Sequence, residues 1–478
     1  MSLIWKNTAS LLVSPPSLND SPSIFNLPSD ILWHIFSLNA DMRLRSEDYE
    51  PALDTLRHTS QVCSSWRELA LASPLLWSRV INIACFLHRK AGIIKYWSTE
   101  VMKRTQTGLL DIKAKLEIPV AESIAEKLLS ENWERIRSVY IYFRCTPISD
   151  GPWRAIFQRP APMLESFYIN CEEGNTEPTS SDFVIFKGEA PLLQDLWVVN
   201  LALDLKTVPW ASNLRHIDIN STIPTSELLR ALFIIPFPFL ESIDFESTDS
   251  STEDSDRRME DDWNHQLPLR PISLPFLDSI VLSISEDFST VLTMLGHITP
   301  SVACVLRLVC YQIVPDNSSL DILHNVLPKY LRYAAGLAPV MNAYVWLTNE
   351  RIAFFPYNES SFFFDLWLAG GLQEKTISTF LSCLKDSQFR IDELKTLSLE
   401  IESSDSSVAN ESIAEFVSDL TAIEHLDTNT QTLNYLDRLQ RKNGVVACPS
   451  LQKIGLNEKD GAFLSKTSWN RGTRLAFR

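Results

Sequence analysis

Few side chains in this chain of 478 residues are grouped for chemistry. The eight histidines (His34, His58, His88, His216, His265, His297, His324 and His425) stand far apart, and no two have the spacing at which one element presents a metal. The eight cysteines include no Cys-x-x-Cys pair, and the closest two, Cys304 and Cys310, read as core residues. There is no His-Glu-x-x-His, no Gly-x-Ser-x-Gly elbow and no glycine-rich phosphate loop in a chain with only 13 glycines. Carboxylates are abundant, but no pair stands out for acid/base work. No catalytic residue, metal ligand or cofactor is therefore expected, and the chain is not expected to be an enzyme. The remaining chemistry is modification. Ser250 and Ser251 each have an acidic residue three positions on, the pattern an acidophilic kinase takes. They sit in the run 246–262, almost devoid of apolar side chains and strongly acidic, which is expected to be a disordered, exposed loop.

Composition sets the frame for the elements. Hydrophobic residues make up 45% and charged residues 21%, the balance of a globular protein with a sizeable core. A net charge of −16 argues against a nucleic-acid or anionic-membrane surface. No apolar run approaches the roughly 18 residues of a membrane span. Apolar residues near the N-terminus are broken up by polar ones and by Pro15-Pro16, so no signal peptide is expected and residues 1–23 read as a flexible segment. Scattered thiols in a large chain suit a reducing compartment, the cytoplasm or nucleus. The basic residues between Leu87 and Arg144 interleave with a helix over Val120–Ser130 and read as a solvated face.

Residues 24–77 read as a cluster of short helices. Pro28 suits helix entry, and Asp30 complements the dipole of the first turn. Ile31, Leu32, Ile35 and Phe36 form an apolar face. A polar interruption follows, then a second helix with Leu53 and Leu56. Ser60 is the expected N-cap of a third helix bearing Cys63, Trp66, Leu69 and Ala70, which Pro74 should stop. So small a unit is marginal alone and should need another surface.

The order Leu27-Pro28, Ile35-Phe36, Val62-Cys63, Trp66 and Pro74-Leu75-Leu76-Trp77 resembles an F-box, with the long segment before Leu53 similar to F-boxes of large fungal families. The resemblance implies docking onto a Skp-type adaptor and, through it, a cullin-RING ubiquitin ligase. It implies that Leu27, Pro28, Ile31, Leu32, Ile35, Phe36, Val62, Cys63, Trp66, Leu76 and Trp77 form or support the adaptor-binding face.

Beyond residue 150 one phrase recurs: a proline or similar breaker, a leucine, polar residues, then a short alternating strand. It begins at Pro162, Pro191, Asn213, Pro238, Pro275, Leu394 and Pro449. The aligned leucines Leu164, Leu193, Leu214, Leu240 and Leu277 recur at steps of 29, 21, 26 and 37 residues, against about 20–29 for leucine-rich repeats. Helical patterns over Ser226–Ile235, Phe288–Ile298, Thr376–Lys385 and Ser412–Ile423 alternate with the strands, as in a parallel sheet with helices on one side. Residues 302–367 fit poorly and read as a distorted repeat or an inserted hairpin.

The expected architecture is α/β: an N-terminal three-helix F-box (24–87), a helical linker or cap (88–150), and an irregular leucine-rich-repeat-like solenoid of strands and helices (151–478). The implied function is substrate recognition for a Skp-cullin-F-box ubiquitin ligase, with an unidentified client protein held by the repeats. A non-degradative interaction scaffold is the alternative, as is a solenoid whose N-terminal helices only cap it.

Overall fold

The structure, a computed structural model, describes residues 27–41, 52–84, 91–144, 151–172, 184–201, 203, 209–221, 223, 225–247, 270–285, 288–337, 341–348, 350–356, 362–371, 373–387, 391–401, 410–443 and 448–456. The segment 1–23, Ser250, Ser251 and the acidic run beyond Ser247 lie outside these residues. The chain divides into two compact units, Met1–Asp111 and Ile112–Arg478.

The first unit contains α1 (Ser29–Ala40), α2 (Ala52–Thr59), α3 (Ser64–Leu71), α4 (Pro74–Ser78), the two-residue strand β1 (Ile81–Asn82) and α5 (Ala91–Thr105). Pro28 precedes α1 in an extended conformation, and its carbonyl accepts the Leu32 N–H at 3.0 Å. Leu32, Phe36 and Ala40, at i, i+4 and i+8, bury one stripe of α1. The Phe36 and Trp66 rings meet edge to face at 5.2 Å, and the Trp77 indole donates to the Ala70 carbonyl at 2.8 Å. One expectation needs correction. Ser60 does not cap the third helix: its N–H still bonds back to Leu56 and its hydroxyl donates to the Arg57 carbonyl, so it closes α2. Pro74 stands three residues beyond the end of the third helix at Leu71 and also opens α4, where a missing N–H costs nothing.

The second unit runs β2 (Leu110–Leu116), α6 (Pro119–Asn132), β3 (Ile136–Phe143), α7 (Gly151–Phe157), β4 (Ser166–Cys171), β5 (Asp195–Val199), β6 (His216–Ser221), α8 (Thr225–Ile234), β7 (Ser242–Ser247), β8 (Ile272–Ser273), β9 (Ser279–Ile284), α9 (Phe288–His297) and β10 (Ile298–Thr299). It continues with β11 (Val305–Ile313), α10 (Asn317–Leu337), β12 (Asn342–Thr348), β13 (Arg351–Pro356), β14 (Phe363–Leu368), α11 (Glu374–Asp386), β15 (Thr396–Ile401), α12 (Asn410–Asp419), β16 (His425–Thr428), α13 (Thr430–Asn443) and β17 (Lys453–Leu456). Within this unit the main sheet runs in the order β2-β3-β4-β5-β6-β7-β9-β11-β14-β13-β12-β15-β16-β17, and β8 and β10 form a separate pair. Pairing is parallel from β3 to β11, and parallel again from β12 through β15 and β16 to β17. Between them β12, β13 and β14 form an antiparallel meander, with β14 parallel to β11. The region 302–367 thus holds one further parallel strand, a 21-residue helix and an inserted meander. The sheet starts before residue 151, since β2 and β3 belong to it. Glu246 and Ser247, assigned from sequence to the acidic loop, pair in β7 instead, opposite Asn220 and Ser221 of β6.

A turn explains the recurring phrase. The N–H of each leading leucine bonds back to the carbonyl three residues earlier: Leu164 to Ala161, Leu193 to Ala190, Leu214 to Ala211, Leu240 to Phe237, Leu277 to Leu274, Leu394 to Ile391 and Leu451 to Cys448. Pro162, Pro191, Pro238, Pro275 and Pro449 therefore hold the second position of a β-turn, where their fixed φ is favourable. The first turn residue is buried in each of these, and the leucine in all but the last, where Leu451 is half-buried. The following N–H continues the ladder, Gln194 to Glu165, Arg215 to Gln194 and Glu241 to Arg215. Cross-strand register then runs Phe167–Leu196–Ile217–Ile243–Ile280, the same steps as the leucines. At the far end of β5, Asn200 takes a positive φ of 55° and donates to the Cys171 carbonyl of β4 at 2.8 Å.

Successive helices pack side by side from α8 to α13, with α8 against β7 and β9, α10 against β11 and α13 against β15. The helix expected over 412–423 ends at Asp419, because Leu420 to Ile423 turn into β16. Cys304 and Cys310 are buried free thiols, as expected of core residues. Leu277 is fully buried, so Leu277→Ala should cost about 2–5 kcal/mol of stability, read as a lowered midpoint in chemical denaturation.

Candidate functional site

In the first unit, α1 carries a second apolar stripe. Ile31, Ile35 and Leu38 lie at i, i+4 and i+7 and are 46%, 37% and 53% exposed. The face expected from sequence therefore splits: Leu32 and Phe36 turn inward, Ile31 and Ile35 outward. Of the eleven residues implied by the resemblance, Pro28, Ile31, Ile35 and Val62 are exposed, and Leu27, Cys63 and Trp66 are half-buried. Leu32, Phe36, Leu76 and Trp77 are buried and shape the surface from beneath. Leu38 and Leu71 are exposed apolar residues that the pattern did not single out, and Leu75, which the pattern contains, is exposed as well. The Cys63 thiol is held below its ordinary value by the Ser65 hydroxyl and the Trp66 backbone.

In the second unit, alternation puts Phe167, Leu196, Ile217, Ile243 and Ile280 in the core. Their successors lie on the other face in one continuous row, Tyr140–Tyr168–Trp197–Asp218–Asp244–Val281–Arg307. Its aromatic half is a stacked column. Tyr140 lies on Tyr168 with centroids 3.8 Å apart, and Tyr168 lies on Trp197 at 3.2 Å. Lys113 covers the outer end, its ammonium 4.8 Å from the Tyr140 ring. The column's inner end opens onto a cleft of about 330 Å³, lined by Asp195, Trp197, His216, Asp218, Asp244 and Val281 among others.

Farther along the same sheet, a related grouping is complete. Arg351 makes a two-pronged ion pair with Asp365, at 2.7 and 2.6 Å, and its guanidinium lies 4.1 Å from the Trp346 ring and 4.6 Å from that of Trp367. Such a pair joins cation–π attraction to a bidentate hydrogen-bonded charge. Among the described residues no three His, Cys, Asp or Glu side chains gather to hold a metal, and no helix is long and apolar enough to cross a membrane.

The carboxylates of the cleft are strained electrostatically. Burial, then the neighbouring Asp244 charge, push Asp218 up to about 7, against the opposing Trp197 hydrogen bond. Burial and Glu246 push Asp244 to about 6, with Arg307 pulling the other way. Folded Asp218 holds a proton that the unfolded chain has already lost, so stability falls as pH rises from about 4 to about 7. Asp218→Asn cannot ionise. It should raise the melting temperature by about 2 °C or more at pH 8 and by little at pH 4, in thermal scans at the two values.

The comparisons bear on the first unit. Residues 24–82 match the F-box-like family. No curated protein matches the chain. Among solved structures it is similar to the crystal structure of a Bacteroides fragilis protein, at 12% identity and a TM-score of 0.30, over 72% of this chain and 84% of that one. The described fold and the family match together give an α/β chain with an N-terminal F-box-like domain, followed by a largely parallel, repeat-like sheet with helices.

Proposed function

We propose that this chain is the substrate-recognition subunit of a Skp-cullin-F-box ubiquitin ligase. The observation that carries the reading is the F-box-like match over residues 24–82, on a helical unit whose first helix presents the apolar stripe Ile31, Ile35 and Leu38. A Skp-type adaptor would seat on that stripe and on Leu27, Pro28 and Val62, and a cullin would follow through the adaptor. The second unit is read as an irregular leucine-rich-repeat-like array: its turn, strand and register recur at the leucine spacing. It would hold a client protein. The chain's contribution is positioning, which raises the effective concentration of the client at the transferred thioester; the bond-making belongs to the ligase partners. Free thiols at Cys171, Cys304, Cys310, Cys383 and Cys448 suit the cytoplasm or nucleus.

Co-expression with a Skp-type adaptor, followed by size-exclusion chromatography, should yield a stoichiometric complex. Leu27→Ala with Pro28→Ala should weaken it. Ile31→Asp with Ile35→Asp should abolish it while circular dichroism stays unchanged, because both side chains already face water. A chain that elutes alone and ignores the adaptor would favour the scaffold reading. Ubiquitination of a bound client in a reconstituted ligase would separate a degradative receptor from an adaptor-bound scaffold.

A further inference from the structure

We propose that the cleft between Trp197, Asp218 and Asp244 binds the cationic side chain, arginine or lysine, of a client protein. The inference rests on the receptor reading above and adds the chemistry of the client. Three observations converge. The cleft offers an indole and two carboxylates in register on adjacent strands, with backbones about 4.8 Å apart. Its charge is one-sided: both carboxylates are disfavoured by burial and by acidic neighbours, and Arg307, two strands beyond Asp244, offsets this only in part. The chain also places cations of its own over aromatic rings elsewhere: Lys113 over Tyr140, and Arg351 between Trp346 and Trp367, there with a carboxylate, Asp365, as well. The cleft has the aromatic face and the carboxylates of the Arg351 site, and its volume, about 330 Å³, admits a side chain from outside. A guanidinium or ammonium entering there gains cation–π and charge-assisted contacts and relieves the repulsion between Asp218 and Asp244. Asn220, on the same face, keeps a water-shielded Oδ1 with no donor among the described residues, so the neighbourhood is short of donors as well as of positive charge.

Such binding needs ionised carboxylates. The charged and titratable groups facing the cleft are Asp195 on β5, His216 and Asp218 on β6, Asp244 and Glu246 on β7 and Arg307 on β11; β9 presents Ser279 and Val281. His216 is anchored to the Ser242 hydroxyl at 2.9 Å and lies near Asp195 and Glu241. Raising pH through the range where Asp218 and Asp244 lose their protons should therefore tighten binding.

The test uses the full chain and three fluorescent nonapeptide libraries, with arginine, lysine or uncharged citrulline fixed at the centre and neutral residues elsewhere, read by anisotropy. The arginine or lysine library should bind at least ten-fold tighter than citrulline at pH 7.5, and affinity should rise between pH 5.5 and 8. Asp218→Asn with Asp244→Asn should remove the preference for charge. Trp197→Leu should weaken binding while keeping the pH dependence. The Asn pair removes repulsion, so its fold should survive. Equal binding of all three libraries, or a charge preference that survives the Asn pair, would overturn the proposal. Adaptor co-purification is scored on the same preparation. A chain that binds the adaptor but ignores the cationic libraries sinks only the cleft; one that binds them but not the adaptor sinks only the ligase reading.

Discussion

Each repeated strand of the second unit starts where a four-residue turn ends, and the turn decides what every later side chain faces. Its first residue is buried, as at Ala161, Ala190, Ala211, Phe237 and Leu274, and so is its last, the leucine. Two buried anchors on one side of a tight turn leave the strand one way to leave. The third residue after the leucine then points inward and the fourth outward, giving Phe167 and Tyr168, Leu196 and Trp197, Ile217 and Asp218. A slip of one residue would exchange the two faces along the whole strand. Proline at the second turn position removes alternatives to that geometry in the unfolded chain as well. Parallel pairing depends on the same device, since neighbouring strands align only if each starts at the same height.

Once the inward row secures the fold, the outward row is free to carry groups that do nothing for stability. The contrast between Asp365 and Asp218 makes this concrete. Asp365 is buried but answered by both prongs of Arg351, itself held by two indoles. Asp218 is less buried and has Asp244 and Glu246 for neighbours, with only the Trp197 N–H in its favour. Removing either charge could be done locally without touching the core. A cost kept on a surface row, where the core does not require it, is the pattern expected of a binding group rather than a structural one.

Much of this was legible in the sequence. The leucine steps of 29, 21, 26 and 37 are the register of the sheet itself, because the unit that recurs is turn plus strand and insertions fall between such units. The first helix was legible as well, though not which of its apolar residues face outward: Ile31 and Leu32 differ by one position, and only the packing of α2, α3 and α4 chooses between them. Local residue type misled at Ser60, since a serine can close one helix as readily as open another, and it told only half at Pro74, since a proline that ends one helix can begin the next. The 21-residue helix from Asn317 was hidden by Pro328 inside it. The cleft was missed for a different reason. The row that holds it sits at the same steps as the leucines, four positions on, but its Tyr, Trp, Asp, Asp and Val follow no common side-chain type. A row that varies from strand to strand carries no repeat signal, although that variation is what a specific surface requires.

The first unit poses the opposite problem, a core too small to use all its apolar residues. Leu32, Phe36 and Ala40 fill the space between α1 and its neighbours, and Ile31, Ile35, Leu38 and Val62 remain in water. Covering these four, each roughly half exposed, would contribute about 3–6 kcal/mol. That is at or below the roughly 4–15 kcal/mol lost in bringing two bodies together. The stripe can therefore be the centre of an interface but not the whole of it. A stable partner must also cover a polar rim, extending the contact toward the roughly 1,600 Å² of ordinary complexes. The buried residues beneath the stripe matter for the same reason: Phe36 against Trp66, and Trp77 tied to the Ala70 carbonyl, anchor the helices around it. A preformed stripe converts more of its modest apolar area into affinity than a mobile one would.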